Sequence, residues 1–207
     1  MPSLEQWFDA WSRFSVEPDD PLRTAYDRLI TQYSEPQRHY HTVHHLDECL
    51  AAFREIEDQA DNPRAVEIAL WFHDAVYDTK ATDNERRSAN QARKTLLDCG
   101  VATTHADHVH RLVMATAHAN PPDGRDEQVI VDADISILGA KAERFDEYER
   151  QVRHEYGHVP ERVYRHGRRN ILLGFLERDA IFNTARFHAR LESRARRNIR
   201  RSLEKLR

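Results

Sequence analysis

The sequence predicts an all-α fold, and three observations support this class. Only six of the 207 residues are glycine, and charged residues make up 32% of the chain. Apolar residues recur at helical rather than alternating spacing over most of its length. No linker rich in Pro, Gly or Ser divides the chain, so we expect a single compact helical bundle over residues 1–207.

Ten helices are expected, and several of their ends have sequence signals. Pro63 and Pro160 suit a first helical turn, where a missing N–H is tolerated, and Asp83 is placed to cap the segment that follows it. Gly100 and Gly139 each follow a periodic run and predict helix ends. The predicted helices cover residues 4–15, 20–33, 42–58, 63–77, 84–98, 103–118, 128–138, 141–157, 160–177 and 184–206.

His73 and Asp74 stand together inside the apolar run ALWFHDAVYD. On a helix, Val66, Ala69 and Leu70 lie on the same side as His73, so its imidazole is expected to face the interior. A buried carboxylate needs compensation, because removing it unpaired from water costs several kcal/mol. A divalent metal ion would supply that compensation.

Two other segments offer matching ligands. In RHYHTVHHL, His41 and His45 are four residues apart, which is one helical turn and therefore one face. In QVIVDADISILG, Asp134 has apolar neighbours at helical spacing, whereas Asp132 has wetter neighbours and is the weaker candidate. Two imidazoles and two carboxylates suit one divalent ion among Mn²⁺, Fe²⁺, Co²⁺, Ni²⁺, Zn²⁺ and Mg²⁺. The absence of thiolate ligands argues against a purely structural zinc site.

A His, then a His-Asp pair, then a distant Asp resembles the HD superfamily of metal-dependent phosphohydrolases. The strings YSEPQRHYH, FHDAVYD, DNERRSA and DADISILG are similar to a small, uncharacterised bacterial branch of it, over roughly residues 30–140. The resemblance implies an HD-type helical bundle on which the C-terminal helices 141–207 pack. It also implies four metal ligands, namely His45, His73, Asp74 and Asp134.

The first motif, with Tyr40, His41 and His45, is also similar to the cyclic-nucleotide phosphodiesterase branch. There the first His donates a proton to the leaving oxygen, and that implies His41 as a general acid. The alternative for His41 is a hydrogen bond to a metal ligand. The chain departs from that branch at Thr42, where Asn normally follows.

Such a site favours hydrolysis of a phosphoester or phosphoanhydride, because a metal ion can activate water and polarise a phosphoryl group. Arg38 and Lys80 flank the first two motifs and are the expected donors to phosphoryl oxygens. Glu85 is expected either to orient the attacking water or a ligand histidine, or to be a favourable acid in a first helical turn. His118 is expected beside the substrate. HD-type sites that hold two metals usually have two extra histidines, and His118 is the single extra His in an apolar setting here, so the resemblance implies one metal ion instead of two.

The expected partner is a small phosphorylated molecule, with nucleotides among the candidates. Two alternatives stay open. The same scaffold can serve a di-iron oxygenase, which metal content and dioxygen consumption would reveal. It can also serve a non-catalytic nucleotide-binding module, which would retain a ligand without turnover.

Composition indicates where the protein is located and whether its cysteines form redox or zinc motifs. The net charge is −4, the N-terminal MPSLEQWFDAW lacks the basic start of a signal peptide, and no run reaches 18 apolar residues. Neither export nor membrane insertion is expected, so the cytoplasm is the default location. Cys49 and Cys99 are isolated and fit no redox or zinc spacing.

The last predicted helix has an arginine face opposite an apolar stripe. The arginines are Arg186, Arg190, Arg194, Arg197 and Arg201. A phosphate- or nucleic-acid-binding face is one interpretation, but arginines that complement the helix dipole and pair with acids are the preferred one. Nucleic acid is therefore not an expected partner. The apolar stripe is either core or the seam of a homodimer.

Overall fold

The structure, a computed structural model, describes residues 2–206, and its regular secondary structure is helical throughout. The predicted all-α class is confirmed. Short 3₁₀ turns occupy Glu57–Gln59 and Ile135–Gly139. The described residues form ten α-helices: α1 (Leu4–Ser12), α2 (Asp20–Tyr33), α3 (Val43–Ile56), α4 (Pro63–Phe72), α5 (Asn84–Asp98), α6 (Thr103–Ala115), α7 (Arg125–Asp134), α8 (Ala142–Glu155), α9 (Glu161–Glu177) and α10 (Ala185–Lys205).

Four of the five residues predicted as start or stop signals lie at an end of an α-helix, and Gly139 ends a 3₁₀ turn. Pro63 is the first residue of α4, whereas Pro160 precedes α9 as its cap residue. Gly100 follows α5 with a φ of 77°, the left-handed conformation that glycine adopts without a Cβ penalty. Asp83 is the residue before α5, but its carboxylate pairs with Arg86 instead of capping an amide.

Two helix ends differ from the prediction in a way that matters for function. α4 ends at Phe72 instead of residue 77, so His73 and Asp74 lie in the following turn and not on a helix. The apolar pattern continues past Phe72, but the carbonyls of Asp74 and Ala75 accept hydrogen bonds from the Arg38 guanidinium. They are therefore paired with a side chain, and no further helical turn forms to satisfy them.

The second difference is at α6, which ends at Ala115 instead of residue 118. His118 has a φ of 53°. A non-glycine residue in that region cannot continue a right-handed helix, and it stores backbone strain of roughly 1 to 3 kcal/mol. α7 likewise ends at Asp134 and tightens into the 3₁₀ turn that follows.

Contacts divide the chain into two compact units, one ending at Asp134 and the other beginning at Ile135. In the first unit, α4 contacts α1, α3, α5, α6 and α7. Only Pro63 and Arg64 of α4 are not buried. Its Trp71 ring packs against Trp7 of α1, with ring centroids 5.1 Å apart. α4 is thus the central helix of this unit, and it delivers the His-Asp pair at its end.

Hydrogen bonds of the Asp126 carboxylate link the start of α7 to the start of α4. One carboxylate oxygen accepts hydrogen bonds from the amides of Asp61 and Asn62, both at 2.8 Å. The other oxygen lies 2.9 Å from the His108 ring. Asn62 in turn caps α4. These contacts fix the helix that ends at Asp134 relative to the helix that ends before His73.

In the second unit, α10 packs against α9 and the 3₁₀ turn Ile135–Gly139. Its apolar stripe is buried within the chain, so it is core. Arg201 pairs with Asp146 at 3.0 Å, as the preferred interpretation of the arginine face expects, whereas Arg194 donates to the Gly139 carbonyl.

The single domain over residues 1–207 stays a prediction, and its two terminal residues lie outside the described ones. Across residues 2–206, no helix has both the length and the apolar character needed to span a bilayer.

Two glycines of the second unit give a matched test of its packing. A Cβ on Gly139 would lie 2.6 Å from the Leu191 Cβ, so α10 would have to shift. We expect Gly139→Ala to lower the free energy of unfolding by about 1 to 3 kcal/mol. A Cβ on Gly174, inside α9, meets nothing within 4 Å. Gly174→Ala should therefore raise stability by roughly 0.5 to 1 kcal/mol. Urea titrations of both variants check this, and equal effects would contradict the packing.

Candidate metal centre

Two buried imidazoles face each other in the first unit. The Nε2 atoms of His45 and His73 are 3.1 Å apart, and both residues are almost completely buried. His45 lies in the first turn of α3, and His73 follows the last residue of α4. Two ring nitrogens at this distance either share a proton or point at a common cation.

Two carboxylates complete the cluster. The Asp74 Oδ2 lies 3.2 Å from His73 Nε2 and 3.4 Å from His45 Nε2. The Asp134 Oδ1 lies 3.4 Å from His45 Nε2 and 3.6 Å from His73 Nε2. The structure thus brings together all four residues that the sequence singled out as ligands. Donors about 2.0 to 2.3 Å from one ion lie at most about 4.6 Å apart, so these spacings fit a single metal ion.

His73 is oriented for metal binding by its other ring nitrogen. Its Nδ1 lies 2.7 Å from the Leu70 carbonyl oxygen, which can only accept a hydrogen bond. Nδ1 therefore has the proton, and Nε2 offers its lone pair to the cluster. Metal-binding histidines are commonly fixed in this way. The next amide, that of Asp74, donates to the Tyr33 hydroxyl, which holds the turn in place.

A fifth donor was missed from the sequence. The donor atoms of His45, Cys49, His73 and Asp134 all lie within 4.8 Å of one another, a group that can hold a metal ion. The Cys49 side chain was set aside because it fits no Cys-Cys spacing. The signal was its position, one helical turn after His45 on α3. Cys49 is therefore a further candidate donor, and the argument against structural zinc loses its premise that no thiol lies near the ligands.

The charges in the cluster depend on one another. Burial by itself would raise the pKa of Asp74 and Asp134, but His73 beside Asp74 and the hydrogen bond from His118 to Asp134 lower both pKa values below their usual range. Burial would lower the pKa of His45 and His73, but neighbouring Cys49 raises the pKa of His45 and neighbouring Asp74 raises that of His73, so both pKa values lie above the usual one. A cation bound at the two Nε2 atoms competes with protons there, because metal ligands bind deprotonated.

Arg38 is not positioned to bind a substrate phosphate. Its side chain has no exposed surface, and its guanidinium donates to the carbonyls of His41, Asp74 and Ala75 and pairs with Glu35 at 3.0 Å. The expectation of a substrate donor is corrected, because the guanidinium is already engaged. Arg38 instead joins the segment before α3 to the turn after α4, and these two segments present the histidines.

His41 does not share a helical face with His45, contrary to the sequence expectation. The chain is still in a turn at His41, and Thr42 caps α3. The His41 ring nevertheless lies beside the cluster, with its centroid 5.6 Å from that of His45. It stacks on Tyr77, with centroids 4.2 Å apart. The turn and the stack together hold His41 at the edge of the donor group.

His118 lies beside the cluster, as a neighbour of Asp134. Its Nε2 is 3.1 Å from the Asp134 Oδ2, while the other oxygen of Asp134 faces the two histidines. His118 therefore orients a candidate ligand. Its strained backbone conformation directs the ring to this position, as is common at functional sites.

Glu85 and Lys80 have no ion pair or hydrogen bond to the cluster among the described residues. Glu85 lies in the first turn of α5. Lys80 is exposed in the loop before that helix, and its amide donates to the Asp78 carboxylate.

Asp132 is completely buried, so the prediction of wetter surroundings for this residue was wrong. Asp132 is nevertheless outside the group of candidate metal donors.

Comparison with protein-family models, with curated proteins and with solved structures gave no match.

Variants of the two aspartates in α7 distinguish a metal ligand from a carboxylate that is only buried. We expect Asp134→Asn to weaken metal binding more than about tenfold, because it removes an anionic donor from the group. Asp132→Asn should keep most of the metal. Metal content per chain, measured after dialysis against a weak chelator, checks both variants. If Asp132→Asn lost the metal and Asp134→Asn kept it, the ligand would be Asp132 instead of Asp134.

Arg38→Met tests the assignment of Arg38 to structure. The variant leaves three carbonyls without their donor, so we expect it to lower the free energy of unfolding by at least about 2 kcal/mol. Lys80→Met, at an exposed site, should leave stability unchanged and serves as the control. A stable Arg38→Met protein that has lost only substrate affinity would show that Arg38 binds substrate after all.

Proposed function

We propose that the protein is a metal-dependent phosphohydrolase of the HD type. One observation supports this most directly: a His, a His-Asp pair and a distant Asp, in HD order along the chain, converge on one buried point. Residues that only fill a core have no reason to bring two imidazoles and two carboxylates together. A divalent ion offers that reason, because it compensates all four groups.

When bound, a divalent ion at such a site activates water and polarises a phosphoryl oxygen. His45, His73, Asp74 and Asp134 are the residues that would hold it. A single group of at least three such donors is present in residues 2–206, which favours one ion over two. This supports hydrolysis over di-iron oxygen chemistry.

Within this proposal, His41 donates a proton to the leaving oxygen. Its ring lies at the edge of the cluster, and stacking on Tyr77 limits its rotation. The ring is partly exposed and so can meet a substrate bound from solvent. Lys80, on the exposed loop after the His-Asp turn, is the proposed cationic donor to the substrate, and Glu85 remains a proposed partner for the attacking water.

The proposed substrate is a small phosphorylated molecule, and nucleotides are the first class to test. Metal-free protein would be reloaded with Mn²⁺, Fe²⁺, Co²⁺, Ni²⁺, Zn²⁺ or Mg²⁺ and assayed for release of phosphate or nucleoside phosphate. We expect metal-dependent hydrolysis that His73→Ala abolishes. Dioxygen consumption without hydrolysis would support the oxygenase instead, and a nucleotide bound without turnover would support a binding module.

His41→Ala separates chemistry from metal binding. We expect near wild-type metal content and a hydrolysis rate lower by about 10² to 10⁴, the range for loss of a general acid. An aryl phosphate needs little protonation as it departs, so its rate should fall less than that of an alkyl or nucleotide ester. Equal losses on both substrates would exclude His41 as the acid. Loss of the metal would make it a ligand.

A further inference from the structure

Cys49 is the one donor of the cluster that the proposed function does not use. Its thiol is 1% exposed and forms no disulfide. The sulfur lies 3.5 Å from Nδ1 and 3.6 Å from Nε2 of the His45 ring. It therefore sits against the imidazole that faces His73, and not against an apolar surface alone.

The sulfur lies close enough to the other donors to share one ion with them. Zinc binds thiolate sulfur at about 2.3 Å and imidazole nitrogen at about 2.0 to 2.1 Å, so two such donors on one ion lie no more than about 4.4 Å apart. The 3.6 Å between the Cys49 Sγ and the His45 Nε2 is within that limit. The sulfur is almost equally far from Nδ1, so it lies against the flank of the ring and has to rotate about its Cα–Cβ bond to meet an ion bound at Nε2. Asp134 and His73 belong to the same mutually close group, whereas Asp74 lies outside it.

We propose that Cys49 is a thiolate ligand of the bound ion, beside His45, His73 and Asp134, and that it makes the site selective for Zn²⁺, Co²⁺ and Fe²⁺ over Mg²⁺ and Mn²⁺. Thiolates prefer the former ions, and Mg²⁺ and Mn²⁺ prefer oxygen donors. On binding, the thiol proton leaves to solvent as the bond from sulfur to metal forms, with no change of oxidation state. The inference rests on the proposed metal centre but not on the hydrolytic reaction.

The other cysteine offers a matched control. Cys99 lies at the end of α5, is half-buried and is not among the grouped donors. The chain has only these two cysteines. In Cys99→Ser, any bond between sulfur of a cysteine and a bound metal must therefore come from Cys49.

The test is the absorption spectrum of the full chain loaded with one equivalent of Co²⁺. We expect Cys99→Ser to show the intense near-ultraviolet charge-transfer band of a thiolate bound to Co²⁺. Cys49→Ser and Cys49→Ala should bind Co²⁺ without that band. In competition titrations their preference for Zn²⁺ over Mn²⁺ should fall by at least about tenfold. Far-UV circular dichroism checks that the variants are folded, and the Cys99→Ser spectrum decides the question even if they are not.

The outcomes separate this inference from the proposed function. Co²⁺ bound to Cys99→Ser without the charge-transfer band would overturn ligation by Cys49 and leave the metal centre standing. Failure of wild-type protein to bind Co²⁺ at all would overturn both. A thiolate band in a protein that hydrolyses no phosphoester would support the Cys49 ligand and remove only the hydrolase.

Discussion

The balance of charge in one buried cluster is the constraint on which this account of the molecule depends. Two imidazoles lie 3.1 Å apart, and each lies 3.2 to 3.6 Å from both carboxylates, at the ends of three elements of the helical core. Without a cation, the carboxylates rely on hydrogen bonds and protons from the neighbouring histidines, which lower the pKa of both. A divalent ion replaces those protons and satisfies all four groups at once, which is why the geometry favours a metal centre over an arrangement of core hydrogen bonds.

The turns that hold these side chains are set by contacts between side chains and backbone. Arg38 bonds the carbonyls of Asp74 and Ala75, and its guanidinium also lies 5.3 Å from the centroid of the Tyr33 ring. Burial raises the pKa of Tyr33 to about 12, so its hydroxyl stays protonated and neutral beside the cluster. A buried arginine thus ends α4 at the position that lets Asp74 turn back towards His45.

The sequence predicted every helix, because apolar periodicity reports which face of a helix is buried. It could not predict where α4 and α6 end, since those ends depend on the Arg38 contacts and on the left-handed backbone at His118. The ligand segments were predictable from their order along the chain. Cys49 was missed because cysteines were compared only with Cys-Cys spacings, and not with the position of a candidate histidine one turn earlier.

The most direct test of the central claim is anomalous X-ray diffraction at the absorption edge of a metal loaded into the protein. The account predicts one anomalous peak per chain, within bonding distance of the Nε2 atoms of His45 and His73 and of the Asp74 and Asp134 carboxylates. A peak found only at surface residues, or no peak beside the two histidines in crystals grown with the metal, would contradict it.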